Sequence, residues 1–365
     1  MKIVTIIGAR PQFIKAAAIS RVIRDRHAGR IEDVLVHTGQ HYDDNMSQVF
    51  FDELDIPRPR YNLEISGGNH GAMTGRMLEA VENVLLQEKP DWVLIYGDTN
   101  STLAGALAAA KLHMPVAHVE AGLRSFNMRM PEEINRILAD RVSAMLFCPT
   151  ETAVANLQAE GITKGVHNVG DVMYDVALFY REKARSQSKC LQQLNLPEGG
   201  FALATCHRAE NTDNLERLSG IVSALGRIAE RLPVVLPLHP RTRKLLADHG
   251  LAGRLGGVKV TEPLPFLDMV ALEQAARVIL TDSGGVQKEA FFYGVPCITM
   301  RDETEWVETV STGANRLVGA SAPAILAATD GVMSKARIAI QDKPYGDGDA
   351  AGKIVALLAN EQISH

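Results

Sequence analysis

The stretch KIVTIIGARPQFIK, residues 2–15, decides the fold. Residues 2–7 are mostly β-branched and apolar, which predicts a buried strand. Gly8 ends that run, and Pro11 suits the first turn of a helix, where its missing N–H needs no partner. A strand, a tight turn and a helix in this order form a βα unit, the repeating piece of a parallel α/β sheet.

The same alternation continues along the chain. In the first half, further strands are predicted at 33–38, 92–96 and 116–119, with helices at 72–88 and 102–113. The pattern restarts after about residue 170, with strands predicted at 201–205, 234–238, 258–261, 278–281 and 297–300. We therefore predict two Rossmann-like, doubly wound α/β domains, residues 1–169 and 170–349, with a ligand in the cleft between them at the carboxyl ends of the strands.

The composition favours small-molecule chemistry. The chain has 365 residues, with 38 Lys and Arg against 43 Asp and Glu and a formal net charge of −5. It has no basic block for nucleic acid and no apolar stretch of the ~20 residues that span a bilayer. The N-terminus lacks a signal-peptide core. Four isolated cysteines, without a CxxC pair, predict reduced thiols and a cytoplasmic protein: Cys148, Cys190, Cys206 and Cys297.

The first loop offers cations for an anionic ligand. Residues 8–15, GARPQFIK, match neither GxGxxG nor GxxxxGK[ST], which disfavours an NAD-dependent enzyme or a kinase. Arg10 and Lys15 lie near a predicted helix N-terminus, where a diphosphate would be favoured. The plainer alternative is a solvated basic helix start.

A second loop, TDSGGVQKE at 281–289, predicts a phosphate cradle. The N–H groups of Gly284 and Gly285 can approach an anion closely at the start of a helix. Glu289, about one turn later, can accept hydrogen bonds from a ribose diol. The alternative is an ordinary helix that Ser283 caps.

Titratable residues collect at predicted strand ends. They are Asp98, Glu120, the pair Glu132 and Glu133, and His207. Each has a plain alternative: a helix cap for Asp98, an ion pair with Arg124 for Glu120, helix-start charges for the glutamate pair and a core histidine for His207. Their joint placement at carboxyl ends of strands favours a general acid/base set. No HxxxH or CxxC spacing predicts a metal site, and His37 with His41 lacks a third ligand.

Seven blocks of sequence resemble one enzyme family. They are GARPQFIK at 8–15, TGQH at 38–41, GDTNSTLAGALAA at 97–109, HVEAGLRS at 118–125, PEEINR at 131–136, CHRAEN at 206–211 and TDSGGVQKEA at 281–290. In this order they resemble the non-hydrolysing UDP-N-acetylglucosamine 2-epimerases. The resemblance implies a glycosyltransferase-B fold, a homodimer, and a C-terminal helix, about 350–365, that packs back on the first domain.

The resemblance also implies an activity that needs no cofactor. The family interconverts UDP-N-acetylglucosamine and UDP-N-acetylmannosamine by eliminating UDP to 2-acetamidoglucal and adding it back. Bacteria use the products as precursors of surface polysaccharide. By motif, the implied catalytic residues are Asp98, Glu120, Glu132 and His207, with Glu133 as the alternative to Glu132. The implied substrate-binding residues are Arg10, Lys15, Leu264, Met269, Ser283, Gly284, Gly285, Glu289 and Trp306.

Two departures from the family pattern bear on the substrate. Where many members have TERPE, this chain has TEWVE at 304–308, so Trp306 replaces an arginine. The loop before PEE, at 125–130, is short. Both variants resemble the subgroup that acts on UDP-2,3-diacetamido-2,3-dideoxyglucuronic acid. At 40–43 the sequence QHYD departs from the QHxQ stretch of members with a second, regulatory UDP-sugar site.

Other classes remain open at this point. A glycosyltransferase of the same fold would need an acceptor, and turnover of a lone UDP-sugar would distinguish the two enzymes. A nucleotide-sugar sensor would not need every carboxylate that is present here.

Overall fold

The structure is a computed structural model, and it describes residues 1–40, 57–333 and 343–361. The chain divides into two compact units: Met1–Val176 with Pro344–His365, and Ala177–Lys343. Each unit is built on one sheet of parallel strands with helices between the strands.

The first unit contains a seven-stranded sheet in the order β3-β2-β1-β4-β5-β6-β7. Its strands are β1 (Lys2–Ile7), β2 (Glu32–His37), β3 (Tyr61–Asn62), β4 (Trp92–Tyr96), β5 (Val116–Val119), β6 (Met145–Cys148) and β7 (Val166–Asn168). Its described helices are α1 (Arg10–Arg26), α2 (His70–Glu88), α3 (Asn100–Lys111), α4 (Pro131–Val142) and α5 (Glu151–Ala159); α6 (Val172–Gln187) runs on into the second unit.

The second unit contains a six-stranded sheet in the order β10-β9-β8-β11-β12-β13. Its strands are β8 (Ala202–Thr205), β9 (Val234–Pro237), β10 (Val258–Thr261), β11 (Val278–Thr281), β12 (Cys297–Thr299) and β13 (Asn315–Leu317). Its described helices are α7 (Cys190–Gln193), α8 (Ala209–Thr212), α9 (Leu215–Ala229), α10 (Pro240–Asp248), α11 (Phe266–Ala275), α12 (Gly284–Phe292), α13 (Val307–Ser311) and α14 (Ala322–Met333), with a 3₁₀ turn at Ala252–Leu255. The last helix, α15 (Ala350–Asn360), belongs to the first unit and packs on α1.

The strands are buried on both sides of each sheet. In β1, Val4 and Ile6 join Val93 and Ile95 of β4 in one cluster, while Ile3, on the alternate side, is also fully buried. Each such side chain contributes about 1.5–3 kcal/mol by leaving water. A parallel strand covered on both faces needs a nearly continuous apolar run, which explains why the opening stretch is decisive.

The strand order reverses beside the first strand of each unit. In the first sheet β2 and β4 flank β1, and in the second β9 and β11 flank β8. In doubly wound sheets, ligands bind outside the carboxyl ends of the strands at this reversal. The loops that start at residues 8, 97, 206 and 282 therefore occupy the expected binding positions.

The division between the units differs from the boundary expected at 169/170. By its contacts the first unit extends to Val176 and takes up the chain again at Pro344, so that 344–349 lies with the first unit.

Hydrogen bonds explain this division. The Asp171 N–H donates to the Tyr345 carbonyl at 3.0 Å. The Asp175 carboxylate accepts from the N–H groups of Ala350 and Ala351 at 3.1 and 2.7 Å. The start of α6 and the start of α15 are thus joined, and both stay with the first sheet.

Candidate active site

The loops after β1 and β4 are joined by the buried side chain of Gln12. Its Nε2 donates to the Tyr96 carbonyl at 2.7 Å, and its Oε1 accepts from the Gly8 N–H at 2.7 Å. A Cβ on Gly8 would lie 2.0 Å from Ser101 Oγ, so only glycine fits there. Arg10 is the first residue of α1, two positions after Gly8.

Asp98 lies in the loop after β4, beside a buried arginine. Its Oδ2 accepts a hydrogen bond from Arg136 Nη2 at 2.6 Å, and its backbone carbonyl accepts one from Asn135 Nδ2 at 2.9 Å. The side chain keeps 31% of its surface accessible. Burial and the charge of Glu120 raise the pKa of Asp98, against the lowering effect of Arg136 and Lys15.

Glu120 follows β5 directly and has its own cation. Its carboxylate accepts a hydrogen bond from Lys15 Nζ, and the two side chains are only 6% and 12% exposed. The backbone of Glu120 has φ +69°, a costly value for a residue other than glycine. Its Oε2 lies 3.4 Å from the position that a Cβ on Gly97 would take. The carboxylate therefore lies against the loop that carries Asp98.

The two glutamates at the start of α4 have different environments. Glu133 is 1% exposed and accepts hydrogen bonds from the N–H groups of Ser125 and Phe126, both at 2.9 Å, and from Arg136 at 2.6 Å. Although burial opposes it, these donors keep the pKa of Glu133 below its usual value. Glu132 is exposed and makes no side-chain hydrogen bond within the described ranges. Glu133 thus anchors a loop, while Glu132 is available for a ligand.

A buried network supports the strand ends. His118 bonds the Gly97 carbonyl at 2.8 Å and Asp140 at 2.7 Å. Arg124 donates to Asp140 at 2.8 Å and to Glu160 at 2.6 Å. The possible ion pair between Glu120 and Arg124 is therefore not formed, because other carboxylates take the arginine.

In the second unit, Asp282 organises the loop after β8. Its fully buried carboxylate accepts hydrogen bonds from the N–H groups of His207 and Arg208, at 3.1 Å each, and from Asn211 Nδ2 at 3.2 Å. The His207 side chain is 48% exposed, so it is not a core histidine. Asp282 holds the backbone of the loop and leaves the imidazole accessible.

The first turn of α12 has the form of an anion site. Ser283 is its N-cap residue, but the hydroxyl makes no capping hydrogen bond. A Cβ on Gly284 would lie 2.7 Å from Glu305 Oε1 and 3.1 Å from Trp306 Nε1, whereas Gly285 is exposed. Side chains from the variant TEWVE stretch therefore lie against the glycine turn.

Two arginines stabilise the negative charge of Glu305 beside this turn. Burial raises its pKa, but Arg301, a hydrogen bond from the residue's own backbone and Arg208 together outweigh that effect, and the pKa lies below its usual value. Arg301 Nη1 is 3.1 Å and Arg208 Nη2 is 3.8 Å from the carboxylate.

The remaining predicted ligand residues lie around α11 and α12. Glu289 is half-buried on α12, beyond the glycine turn. Leu264 and Met269 are half-buried against the core cluster that includes Val286 of α12. Of the histidine pair, His37 is buried at the end of β2, and His41 lies outside the described residues, as do most of QHYD and positions 362–365 of the expected last helix.

Three residues that organise these loops have no role predicted from the sequence. Arg136 lies in the PEEINR block, three positions after Glu133, a spacing that predicts an ion pair on a helix. Asp282 lies in the quoted TDSGG block, and Gln12 in GARPQFIK. The motifs contained them, but only the fold shows which backbone groups they bind.

Two kinds of feature are absent from the described ranges. No cluster of three or more His, Cys, Asp or Glu residues there could hold a metal ion. No described helix has the length and apolarity needed to cross a membrane.

Comparison with known proteins identifies the family. The model of the family "UDP-N-acetylglucosamine 2-epimerase" matches residues 24–359. The chain belongs to this family. It is 56% identical to the UDP-2,3-diacetamido-2,3-dideoxy-D-glucuronate 2-epimerase of Pseudomonas aeruginosa, over 98% of this chain and 99% of the relative.

Solved structures of family members have the same fold as this chain. The Methanocaldococcus jannaschii UDP-GlcNAc 2-epimerase, in complex with UDP-GlcNAc and UDP, is 44% identical with a TM-score of 0.89, covering 99% of this chain and 100% of that one. The Neisseria meningitidis enzyme bound to UDP-GlcNAc is 31% identical, with the same TM-score and coverage. The predicted family and the two Rossmann-like domains of the glycosyltransferase-B fold are confirmed, and members of this family are isomerases.

Proposed function

We propose that the chain inverts C2 of a UDP-linked 2-acetamido sugar without hydrolysing it. The C2 proton is removed and UDP leaves C1, giving an unsaturated sugar; a proton then returns to the other face of C2 and UDP adds back. The observation that carries this proposal is a pair of carboxyl groups on adjacent loops, Asp98 and Glu120, each beside its own cation.

The chemistry explains why two such groups are needed. No carbonyl acidifies the C2 hydrogen, so departure of the diphosphate must drive its removal, and positive charge develops at C1. Inversion needs proton transfer on both faces of the ring. Asp98 has a raised pKa and holds a proton more readily than an ordinary aspartate, while Glu120 is paired with Lys15. Carboxyl groups in unlike environments can act as donor and acceptor.

Two further residues complete the proposed catalytic set. Glu132, exposed and without a partner among the described residues, is the third acid/base candidate, and the anchored Glu133 is not. His207, accessible beside the Asp282 loop, contacts the diphosphate or the sugar.

The nucleotide has a separate set of contacts. The N–H groups of Gly284 and Gly285, with Ser283, hold the diphosphate at the start of α12, and Arg10 and Lys15 add positive charge. Glu289 accepts hydrogen bonds from the ribose hydroxyls. Leu264 and Met269 contact the uracil. The support for the diphosphate site is the glycine turn itself, together with Arg301 and Arg208, which lie close to the Glu305 carboxylate beside that turn.

For the sugar, the first candidate is UDP-2,3-diacetamido-2,3-dideoxy-glucuronate. The Pseudomonas aeruginosa relative with that name is 56% identical, and Trp306 replaces the arginine of the common TERPE pattern. The second candidate is UDP-N-acetylglucosamine, which the 44% identical structure binds.

The test is to offer each UDP-sugar alone, in deuterium oxide, and follow C2 by NMR. We expect inversion with one deuterium at C2 of the product, and faster turnover of the diacetamido sugar. Inversion without label would exclude proton abstraction at C2. Turnover only after an acceptor sugar is added would instead identify a glycosyltransferase.

We also propose a homodimer that acts in the cytoplasm. All four cysteines are free and buried, as a reducing compartment permits, and burial raises the pKa of Cys148 to about 12. Light scattering should give twice the 39.6 kDa chain mass, and cell fractionation should recover the protein with the cytoplasm.

A further inference from the structure

The first turn of α12 packs against an aromatic ring. Gly284 begins this helix and Lys288 follows one turn later, a spacing that places the two positions on the same face. The Lys288 ammonium lies 3.8 Å from the centre of the Trp306 ring, and a Cβ on Gly284 would lie 3.1 Å from Trp306 Nε1. The indole therefore spans the turn, with its face on the lysine and its edge against the glycine.

Burial strengthens the contact between the lysine and the ring. Lys288 is 3% exposed, so its ammonium has lost most of its water, and Trp306 is buried as well. The negative face of an indole attracts a cation more strongly in such a place than at a surface. A side chain at position 284 would press on the edge of the indole. Gly284, Lys288 and Trp306 thus fit one another.

Hydrogen bonds fix the backbone that carries the indole. The Trp306 N–H donates to Thr304 Oγ1 at 3.2 Å, and the Trp306 carbonyl accepts from Thr309 Oγ1 at 2.7 Å. Thr304 Oγ1 in turn donates to Gln287 Oε1 of α12 at 2.7 Å. Asn315 Nδ2 donates to Gln287 Oε1 at 3.2 Å and to Thr309 Oγ1 at 3.1 Å. The segment is therefore tied to α12 through Gln287 as well as through the ring.

We propose that Trp306 is a positioning residue, which holds the first turn of α12 in the form that binds the diphosphate and does not itself contact the sugar. The inference rests on the diphosphate site proposed at Gly284 and Gly285. A positioning role and a ligand contact predict opposite effects of arginine, the residue of the common TERPE pattern. A ligand contact would gain from the added charge. An arginine beside Lys288 would instead place two cations together in a buried position and distort the turn.

The test compares ligands that have the diphosphate with one that lacks it. Dissociation constants of UDP, and of the candidate UDP-sugar that turns over faster, are measured by calorimetry, and that of uridine by ligand-observed NMR. The variants are Trp306→Phe, which keeps a ring on Lys288, Trp306→Leu, which removes it, Trp306→Arg, and Trp306→Arg combined with Lys288→Met. Leu225→Ala is the matched control, because Leu225 is buried in the core on α9, a separate helix of the same unit. Thermal unfolding checks that each variant is folded.

We expect Trp306→Leu to weaken UDP and the UDP-sugar equally, by about tenfold, and to leave uridine binding unchanged. A desolvated cation–π contact supplies a factor of about this size. Trp306→Phe should stay within about threefold of wild type, because a phenyl ring still attracts the ammonium. Trp306→Arg should lose more affinity than Trp306→Leu and regain part of it when Lys288→Met removes the second cation. Leu225→Ala should unfold at a lower temperature and bind UDP as wild type does.

Wild-type or stronger UDP binding by Trp306→Leu or Trp306→Arg would overturn the inference, and so would a loss confined to the UDP-sugar. A loss of UDP affinity in Leu225→Ala would also overturn it, because instability alone would then explain the effect. If wild type binds UDP no better than uridine and Gly284→Ala changes neither constant, the diphosphate site itself is wrong. The inference then falls with the proposed function.

Discussion

Replacing Arg136 by methionine would remove the cation that joins Asp98 to the loop anchor Glu133. Arg136 donates to both carboxylates at 2.6 Å, and its side chain is only 9% exposed. Methionine keeps much of the length and apolar contact but neither the charge nor the donors. Among the groups that act on Asp98, Arg136 is the largest that lowers its pKa, so that pKa must rise further in the variant.

The magnitude follows from the two ion pairs. A hydrogen bond between charged groups contributes about 1.5–3 kcal/mol. Losing the Arg136 contact should therefore raise the pKa of Asp98 further. Glu133 is left buried without its cation, which should lower the free energy of unfolding by about 3–5 kcal/mol.

The assay is the pH dependence of kcat/KM for C2 inversion, with unfolding by denaturant measured in parallel. The limb of the pH profile that reports the titration of Asp98 should move to higher pH. Arg136→Lys, which keeps a cation, should move it less. Arg141→Met is the matched control on the same helix, because Arg141 is exposed and donates to the Glu160 carbonyl. It should change stability by about 1 kcal/mol or less.

A folded Arg136→Met variant with the wild-type pH profile would refute this reasoning. An equal loss of stability in Arg141→Met would also refute it, because the loss in Arg136→Met could not then come from the buried ion pair with Glu133.

Three shorter predictions concern other parts of the chain. Asp98→Asn should lower turnover by about 10²-fold or more with UDP affinity unchanged, measured by NMR and calorimetry; wild-type turnover would exclude Asp98 from proton transfer. Gly284→Ala should weaken UDP binding, because the new Cβ would lie 2.7 Å from Glu305 Oε1; unchanged affinity would mean that the turn does not hold the diphosphate. Burial raises the pKa of Asp175 to about 6, above its unfolded value near 3.8, so the ionised carboxyl costs stability as the pH rises through this window. Asp175→Asn should therefore gain stability relative to wild type between about pH 4 and about pH 7, and a pH-independent difference between the two proteins would contradict that.

Much of the fold follows from local sequence. The strands predicted at 92–96, 116–119, 258–261 and 278–281 are β4, β5, β10 and β11 with the same ends. Glycine, proline or polar residues mark the ends of these apolar strands clearly in the sequence. Four strands are not predicted from the sequence: β3, β7 and β13 have only two or three residues, and β6, Met-Leu-Phe-Cys, has four but no β-branched residue. Neighbouring strands, rather than their own residues, keep them extended.

The loops of the candidate site can be predicted from the sequence, but the contacts between their side chains cannot. Sequence motifs locate the loops that carry Asp98, Glu120 and Ser283, because strand ends are local features. The motifs do not show which side chains bind each other. Glu120 accepts a hydrogen bond from Lys15, for example, which is 105 positions away along the chain. Adjacent residues can also differ in burial, as Glu132 and Glu133 do, because a helix turns about 100° per residue. Such contacts depend on how the βα units pack and cannot be derived from spacing alone.

The hydrogen bonds of Gln12 limit how the two loops that it joins can be engineered or can diverge within the family. Its side-chain amide uses five contacts on two loops: the N–H groups of Gly8 and Ala9, the Tyr96 carbonyl, and the hydroxyls of Thr99 and Thr102. A loop transplanted from a relative into either position would leave buried polar groups unpaired unless the other loop came with it. The first helix turn and the segment after β4 therefore form a single cassette, and substrate range can be redesigned more freely in segments outside it.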